Sequence, residues 1–220
     1  MKTVFITGVS RGIGKALGQT FLQADYTVLG TSLTGDLDYE HQNLRALKLD
    51  ITNEQEIQNV VEFLADEDIK IDILINNAGV LLDENDDTVV MERLRATLEV
   101  NLFGTIAITQ AVLPFMHSNG KIIHISSSAG QLTRDVTSTR YPGYKISKTA
   151  LNMYTVTLAK RLEETGITVA AVHPGWTKTD MGGPDADLTP EESAQYIFDF
   201  TQREDIETGK FWFKGEQMKW

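Results

Sequence analysis

The sequence contains no cysteine and little histidine. Without cysteine, the 220-residue chain can form neither a disulfide nor a thiolate metal site. Its four histidines lack the short, regular spacings at which metal-binding histidines pair, and they are His41, His117, His124 and His173. We therefore predict that the protein has no metal site.

Basic residues are also scarce. The chain has 20 Lys and Arg against 31 Asp and Glu, a formal net charge of -11, so its average surface repels phosphate groups. We expect neither a nucleic acid nor a membrane as a partner. The apolar N-terminal stretch ends at Gly8, too early for a signal peptide or a membrane span, and no other stretch is long enough to span a bilayer. These features predict a cytoplasmic protein whose partners are small molecules or other proteins.

Short apolar runs alternate with longer segments that have helical periodicity. The length and a hydrophobic content of 41% suit one domain over residues 1–220. The predicted strands are Thr3–Thr7, Thr27–Thr31, Leu44–Leu49, Ile71–Asn76, Lys121–Ser126, Thr168–His173 and Lys210–Phe213. The predicted helices are Gly12–Ala24, Asn53–Ala65, Met91–His117, Tyr144–Glu164 and Pro190–Gln202.

This alternation predicts an α/β fold, a Rossmann-type doubly wound parallel sheet with helices on both faces. About seven strands are predicted, and right-handed crossovers between them favour the order 3-2-1-4-5-6-7. Ligands of such sheets bind beyond the carboxyl ends of the strands. The most polar stretch, Asp83–Asp87, is interpreted as a solvated loop, because it lacks the ligand spacing and the turn glycine of a calcium loop.

A glycine-rich turn follows the first predicted strand and opens the first helix. Gly8 suits a tight turn, Gly12 lets the backbone approach a pyrophosphate, and Gly14 allows the helix to pack closely. The helix N-terminus offers unpaired N–H groups and a positive dipole. Strand, turn and helix in this order predict a dinucleotide site.

The end of the second strand indicates which dinucleotide binds. NAD-selective sites place a carboxylate there for the ribose 2′-hydroxyl, whereas this chain has Thr31 and Ser32. Arg11 in the glycine turn can pair with a 2′-phosphate, so NADP(H) is the preferred cofactor and NAD(H) the alternative. The competing interpretation is that Arg11 is a solvated surface cation.

Six motifs in order resemble the short-chain dehydrogenase/reductase family over nearly the whole chain. They are the Thr-Gly-x-x-x-Gly-x-Gly turn at 7–14, Asp50, Asn-Asn-Ala-Gly at 76–79, Val-Asn at 100–101, the serines at 126–128 with Tyr-x-x-x-Lys at 144–148, and Pro-Gly-x-Thr-x-Thr at 174–179. The segments 173–193 and 209–211 resemble the C-factor and sniffer-type carbonyl reductases within that family. Leu33 departs from the pattern, because many NADP-dependent relatives carry a basic residue there.

The resemblance implies four catalytic residues. Tyr144 is the proton donor, Ser127 holds the substrate oxygen, Lys148 binds the nicotinamide ribose, and Asn101 helps a water connect Lys148 to solvent. Independently of the family, a spacing of four places Tyr144 and Lys148 on one helix face, where the cation would lower the tyrosine pKa from about 10. Without the other motifs, a packed ring and a snorkelling lysine would be the better explanation of the pair.

The resemblance also implies the cofactor-binding set. Besides Tyr144 and Lys148, it comprises Gly8, Ser10, Arg11, Gly12, Ile13, Gly14, Thr31, Ser32, Asp50, Ile51, Asn77, Ala78, Gly79, Pro174, Gly175, Thr177 and Thr179.

The expected reaction is hydride transfer between NADP(H) and a small aldehyde, ketone or alcohol. The candidate pocket residues lie in loops after the strands and are Leu81, Leu82, Gln131, Leu132, Trp176 and Met181. The alternative is an NADP(H)-sensing regulatory protein on the same fold. A homodimer or homotetramer through the two longest helices is expected from the family.

Overall fold

The computed structural model describes residues 1–133 and 135–220. Within them the strands are β1 Thr3–Ile6, β2 Thr27–Ser32, β3 Leu44–Lys48, β4 Ile71–Asn76, β5 Met116–Ile125, β6 Thr168–Val172, β7 Lys210–Phe213 and β8 Glu216–Met218. The α-helices are α1 Gly12–Gln23, α2 Glu54–Asp66, α3 Met91–Leu98, α4 Thr105–Val112, α5 Pro142–Arg161 and α6 Pro190–Gln202.

The strands form one sheet in the order β3-β2-β1-β4-β5-β6-β7-β8, which confirms the predicted order for the first seven. Strands β1 to β7 pair in parallel, and β8 pairs antiparallel to β7. The sequence analysis missed β8 because three residues are too short to show a periodic pattern. Its hairpin turn is Lys214-Gly215, and both residues have positive φ (48° and 79°), as tight hairpins require.

Two apolar layers cover the sheet. In β1, Val4 and Ile6 face a layer with α1 and α6, whereas Phe5 faces a layer with α2, α4 and α5. All three side chains are fully buried. A central parallel strand is therefore apolar at consecutive positions, because each face lies under helices.

The predicted helix Met91–His117 is interrupted and shorter than expected. Helix α3 leads into a π-helical segment, Glu99–Gly104, then into α4 and a 3₁₀ turn at Leu113–Phe115, and β5 already begins at Met116. At Gly104 an added Cβ would lie 2.7 Å from Ile51 Cγ1, so the wider segment passes close to the loop after β3. Apolar periodicity alone does not distinguish a π turn from an α turn.

Taken together, Met91–Phe115 is the one helical run of the described residues that is long and apolar enough to cross a membrane by length and composition. The sequence analysis expected no such stretch, so this expectation was wrong. A core helix of a globular protein passes the same test, and here α4 packs against α2 and β4 while α3 packs against α5. The run is therefore weak evidence for a membrane span.

The parallel strands bring their following loops to one edge of the sheet. The glycine turn after β1, the loop after β4 at 77–90, the loop after β5 at 126–141 and the loop after β6 at 173–189 all begin there. Residues far apart in sequence thus meet at this edge, such as Arg11 and Asp180, which are separated by 169 positions.

Candidate active site

The glycine turn has backbone conformations and close contacts that favour glycine over other residues. Gly8 and Gly12 have φ of 73° and 56°, in the left-handed region. A Cβ at Gly14 would lie 1.9 Å from the carbonyl oxygen of Gly8, so helix α1 starts directly against the turn. The turn and the helix N-terminus are therefore packed together as the predicted pyrophosphate site requires.

The N-terminus of α1 is open to an anion. Among the described residues no side chain caps it, and its first turn contains no acidic residue. Arg11 is the N-cap and Ser10 lies exposed beside it. The unpaired N–H groups and the helix dipole thus face the edge of the sheet where a phosphate would be bound.

The Asn-Asn-Ala-Gly segment is tied to this turn by side-chain hydrogen bonds. Asn77 Nδ2 donates to the carbonyl oxygens of Thr7 (2.9 Å) and Gly8 (3.0 Å). Thr7 Oγ1 accepts from the backbone N–H groups of Asn77 and Ala78, both at 3.0 Å. Thr7 was not in the predicted cofactor set, although its place before Gly8 was visible in the motif.

Two of the residues predicted to select NADP(H), Thr31 and Ser32, lie at the end of β2. Thr31 Oγ1 accepts from Gly8 N at 3.3 Å, and Ser32 Oγ is held between Gly35 N (2.9 Å) and Asp36 O (3.2 Å). Arg11 makes an exposed ion pair with Asp180, 2.7 Å between Nη1 and Oδ2. The sequence did not indicate this pairing, because Asp180 belongs to the loop after β6.

Asp50 and Ile51 follow β3. Asp50 Oδ1 accepts from Thr52 N (2.9 Å) and Thr52 Oγ1 (2.7 Å), which orients its carboxylate at the end of the strand. Ile51 is buried against the π-helical segment. Both residues therefore lie at the same edge of the sheet as the glycine turn.

The four predicted catalytic residues converge at the start of α5. Tyr144 and Lys148 lie one turn apart, with Lys148 Nζ 5.6 Å from the centroid of the Tyr144 ring and 2.8 Å from Ile125 O, to which it donates. The side chain of Ser127 hydrogen-bonds with the Tyr144 phenol. Helix α5 starts at Pro142, two residues before the predicted start at Tyr144.

Asn101 lies in the π-helical segment and connects two parts of the site. Its Oδ1 accepts from Val80 N at 2.7 Å, and its Nδ2 donates to Val80 O at 2.8 Å and to Ser147 Oγ at 3.1 Å. A Cβ at Gly79 would lie 3.2 Å from Asn101 Oδ1 and 3.7 Å from Lys148 Nζ. Gly79 therefore leaves both polar groups facing the same space.

The pKa of Tyr144 is raised in the structure, whereas the sequence analysis expected Lys148 to lower it. Burial raises the pKa of Tyr144 to about 12, although the hydrogen bond with Ser127 acts in the opposite direction. Burial also lowers the pKa of Lys148 to about 8. The expected net lowering of the tyrosine pKa by Lys148 is not seen, because the loss of solvation outweighs the hydrogen bond with Ser127.

The segment after β6 closes the other side of the site. Gly175 has φ of 82° and follows Pro174, and Thr177 Oγ1 lies 2.7 Å from Ser193 Oγ at the start of α6. A Cβ at Gly12 would lie 3.2 Å from Thr179 Cγ2, so this segment contacts the glycine turn. The structure thus places Thr179 of the predicted cofactor set beside the turn.

A cavity of about 700 Å³ lies between Tyr144 and the loops. Of the six candidate pocket residues, Leu81, Gln131, Trp176 and Met181 line it, as does Ile13 of the cofactor set. Leu82 and Leu132 lie outside it. Arg140 and Lys145 also border the cavity, but both donate to backbone carbonyls of neighbouring residues, so they form part of its wall.

The interpretation of Asp83–Asp87 as a solvated loop holds for Glu84, Asn85 and Asp87, which are exposed, but is wrong for Asp83. Asp83 is 2% exposed, and Asp83 Oδ2 accepts from Gly143 N at 2.5 Å and from Tyr144 N at 3.4 Å. Asp86 pairs with Arg93 at 2.5 Å. Asp83 is buried because it packs against the N-terminus of α5, a tertiary contact that local polarity does not reveal.

Comparisons with known proteins agree with this geometry. The model of the short chain dehydrogenase family matches residues 2–188. Carbonyl reductase (NADPH) 1 of Mus musculus is 28% identical over 240 aligned positions, covering 86% of this chain and 87% of the mouse protein.

Solved structures extend the likeness to the whole chain. The NADPH-bound carbonyl reductase from chicken fatty liver has a TM-score of 0.89 at 27% identity, covering 100% of this chain and 99% of the other. The carbonyl reductase Sniffer of Drosophila melanogaster has a TM-score of 0.88 at 25% identity and covers 100% of both chains. The resemblance to sniffer-type relatives that the motifs indicated is therefore confirmed.

Proposed function

We propose that this chain, which belongs to the short-chain dehydrogenase family, is an NADP(H)-dependent oxidoreductase acting on small carbonyl compounds or the corresponding alcohols. The observation that carries the proposal is that Tyr144 and Ser127 line one cavity that also borders the glycine turn at Ile13, with Lys148 one helical turn from Tyr144. Hydride transfer to a carbonyl carbon leaves charge on its oxygen, and this cluster offers a proton donor and a hydrogen-bond donor for it.

The cofactor proposal rests on the open N-terminus of α1 and on the absence of a carboxylate at Ser32. NADPH would supply the hydride. Arg11 would bind the 2′-phosphate after leaving Asp180, and both partners are largely solvent-exposed, so their ion pair costs little to break. The chicken enzyme was solved with NADPH and the mouse relative is named for it, which supports NADP(H) over NAD(H).

In this proposal the residues have distinct tasks. Tyr144 keeps its proton at neutral pH, as carbonyl reduction requires, and gives it to the substrate oxygen while Ser127 donates a hydrogen bond to the same atom. Lys148 holds the ribose hydroxyls and can replace the proton of Tyr144. Asn101 fixes the Val80 backbone and links the site to Ser147 of α5.

We extend the proposal to assembly and location. Exposed apolar side chains line the outer side of α3, the π-helical segment and α5, and include Met91, Phe103, Ile146 and Met153. A second copy of the chain would cover them in a homodimer or homotetramer. The excess of 31 acidic over 20 basic residues supports a cytoplasmic protein without nucleic-acid or membrane partners.

The test measures the loss of NADPH absorbance as the protein is offered a panel of small aldehydes, ketones and diketones. Tyr144→Phe should lower kcat by about 10² to 10⁴, the usual contribution of a positioned proton donor. Tyr154→Phe is the matched control, because it removes a hydroxyl from the same helix at a residue outside the cavity.

The outcomes separate the candidate functions. Turnover with NADPH that Tyr144→Phe loses and Tyr154→Phe keeps would support the reductase. Tight NADPH binding without turnover of any panel member would favour the regulatory alternative. Equal activity of Tyr144→Phe and the unchanged protein would contradict the proposed proton donor.

A further inference from the structure

The first turn of α5 has two backbone N–H groups that its own residues do not satisfy. The N-cap, Tyr141, has no capping side-chain bond among the described residues, and Pro142 has no N–H to donate. Lys145 N donates to Tyr141 O at 3.1 Å. The N–H groups of Gly143 and Tyr144 are left, and one of them belongs to the proposed proton donor.

Asp83 accepts from both of these groups. Its Oδ2 lies 2.5 Å from Gly143 N and 3.4 Å from Tyr144 N, although Asp83 is 60 positions away in the sequence. Its carboxylate is buried, and Oδ1 has no hydrogen-bond partner among the described residues. A carboxylate at a helix N-terminus interacts favourably with the positive end of the dipole, which stabilises this burial.

Gly143 has no side chain to exclude the carboxylate of Asp83. A Cβ added to Gly143 would lie 2.9 Å from Asp83 Oδ2, a separation at which one of the two would have to move. Glycine at this position therefore leaves room for the carboxylate directly at the start of the helix.

The neighbours of Asp83 hold the segment that precedes the helix. Tyr141 N donates to Asp86 O at 2.9 Å, Arg140 Nε donates to Glu84 O at 3.1 Å, and Thr139 Oγ1 donates to Asp87 Oδ1 at 3.1 Å. Tyr141 has φ of 48°, a left-handed conformation that a tyrosine adopts only when its surroundings impose it. Residues 83–87 thus determine where α5 begins.

We propose that Asp83 is a positioning residue that fixes the Tyr144 phenol relative to the cavity by anchoring the first turn of α5. This inference rests on the proposed function, since it assigns Asp83 an effect that acts through Tyr144. An error of about 1 Å in the position of a catalytic group can lower a rate by about 10². The anchor therefore affects the proton-transfer step more than cofactor binding.

The test compares Asp83→Ala and Asp83→Asn with the control Asp66→Asn, which changes an exposed carboxylate at the end of α2, each in the unchanged chain and in Tyr144→Phe. In the unchanged chain, Asp83→Ala should lower kcat at least about tenfold while the KM for NADPH changes less than about twofold. The kcat of Asp83→Asn should lie between those of Asp83→Ala and the unchanged chain. Its amide oxygen can still accept from the helix N–H groups, but its N–H₂ group is then buried beside them. The kcat of Asp66→Asn should stay within about twofold of the unchanged chain.

The Tyr144→Phe background shows whether the effect acts through the tyrosine. There Asp83→Ala should change the small remaining rate less than about twofold, as expected when two changes disable one function. An equal loss in both backgrounds, or no loss in the unchanged chain, would overturn the inference. If Asp83→Ala fails to fold, Gly143→Ala disturbs the same contact from the helix side and should give the same pattern.

The same experiment separates this inference from the proposed function. Full activity of Tyr144→Phe would contradict the proposed proton donor itself. Loss of activity in Tyr144→Phe together with full activity of both Asp83→Ala and Gly143→Ala would contradict only the role of Asp83.

Discussion

At the scale of single residues, Lys148 combines an unfavourable environment with a central position. It is 5% exposed, and its ammonium donates to one backbone carbonyl, that of Ile125. Burial lowers its pKa to about 8, so at neutral pH the folded chain holds a charge that the unfolded chain solvates better. A residue retained under these conditions is typical of a functional site.

Lys148→Met should make the protein more stable and inactive. The shift in pKa from 10.5 to about 8 corresponds to about 3 kcal/mol of unfolding free energy near pH 7. Because the folded-state pKa is depressed, the folded chain loses stability as pH falls from 10.5 to 8, and the full loss is present below pH 8. Urea unfolding at pH 7 and at pH 9.5 measures the difference in unfolding free energy between the two chains at each pH.

The variant and the unchanged chain should therefore converge at high pH. The unchanged chain should gain about 2 kcal/mol relative to Lys148→Met between pH 7 and 9.5. Lys145→Met is the control, because Lys145 lies on the same helix but is only partly buried. A constant difference between the chains at both pH values would contradict the assigned cause.

At the scale of elements, the turn between β1 and α1 is defined by close backbone contacts. Gly14 lies against the carbonyl of Gly8, and Asn77 donates to the same carbonyl from the loop after β4. The turn is therefore held by its own helix and by a neighbouring strand. A change at any of these contacts should affect the dinucleotide site before it affects the rest of the sheet.

Gly14→Ala should abolish NADPH binding. Its Cβ would lie 1.9 Å from Gly8 O, so the helix and the turn would have to separate. We expect a loss of at least about 3 kcal/mol in unfolding free energy, in the range of overpacked or strained sites. Calorimetric titration with NADPH and urea unfolding give the two readouts.

Gly183→Ala provides the control for this change. Gly183 also has a positive φ, 75°, but a Cβ there would meet no atom within 4 Å. It should cost about 1 kcal/mol from backbone strain alone and leave NADPH binding within about threefold. Tight binding by Gly14→Ala would show that the turn can relax and that the contact is unimportant.

At the scale of the whole molecule, the outer sides of α3, the π-helical segment and α5 are unusually apolar for a solvent-facing surface. Phe103 and Met153 are 52% and 63% exposed. These segments also carry Asn101 and Tyr144 on their inner sides. Assembly through this surface would therefore stabilise the elements that form the active site.

Met153→Glu should convert the proposed oligomer to a monomer. A charge buried in the centre of an interface without a partner is costly, so dissociation should be evident at micromolar protein concentration. Light scattering after size-exclusion chromatography measures the mass. Leu132→Glu is the control, because Leu132 is exposed outside these helices. A monomeric unchanged chain would contradict the proposed assembly.

Much of the fold was readable from the sequence because it depends on local pattern. Buried parallel strands are apolar throughout, the helices have 3.6-residue periodicity, and the glycine turn follows β1 directly. The spacing between Tyr144 and Lys148 likewise predicted a shared helix face, and the structure has both on α5. Each of these features lies within a few consecutive residues.

Other features required the tertiary structure. The buried carboxylate of Asp83 on the first turn of α5, the Arg11–Asp180 pair, the π-helical segment around Asn101 and the raised pKa of Tyr144 depend on contacts between distant segments. Side chains of the same type are solvated or buried according to what packs against them. The sequence by itself thus determined the order of the sheet and the residues at its edge, whereas only packing decided how those residues are held and charged, because solvation is a property of the whole fold.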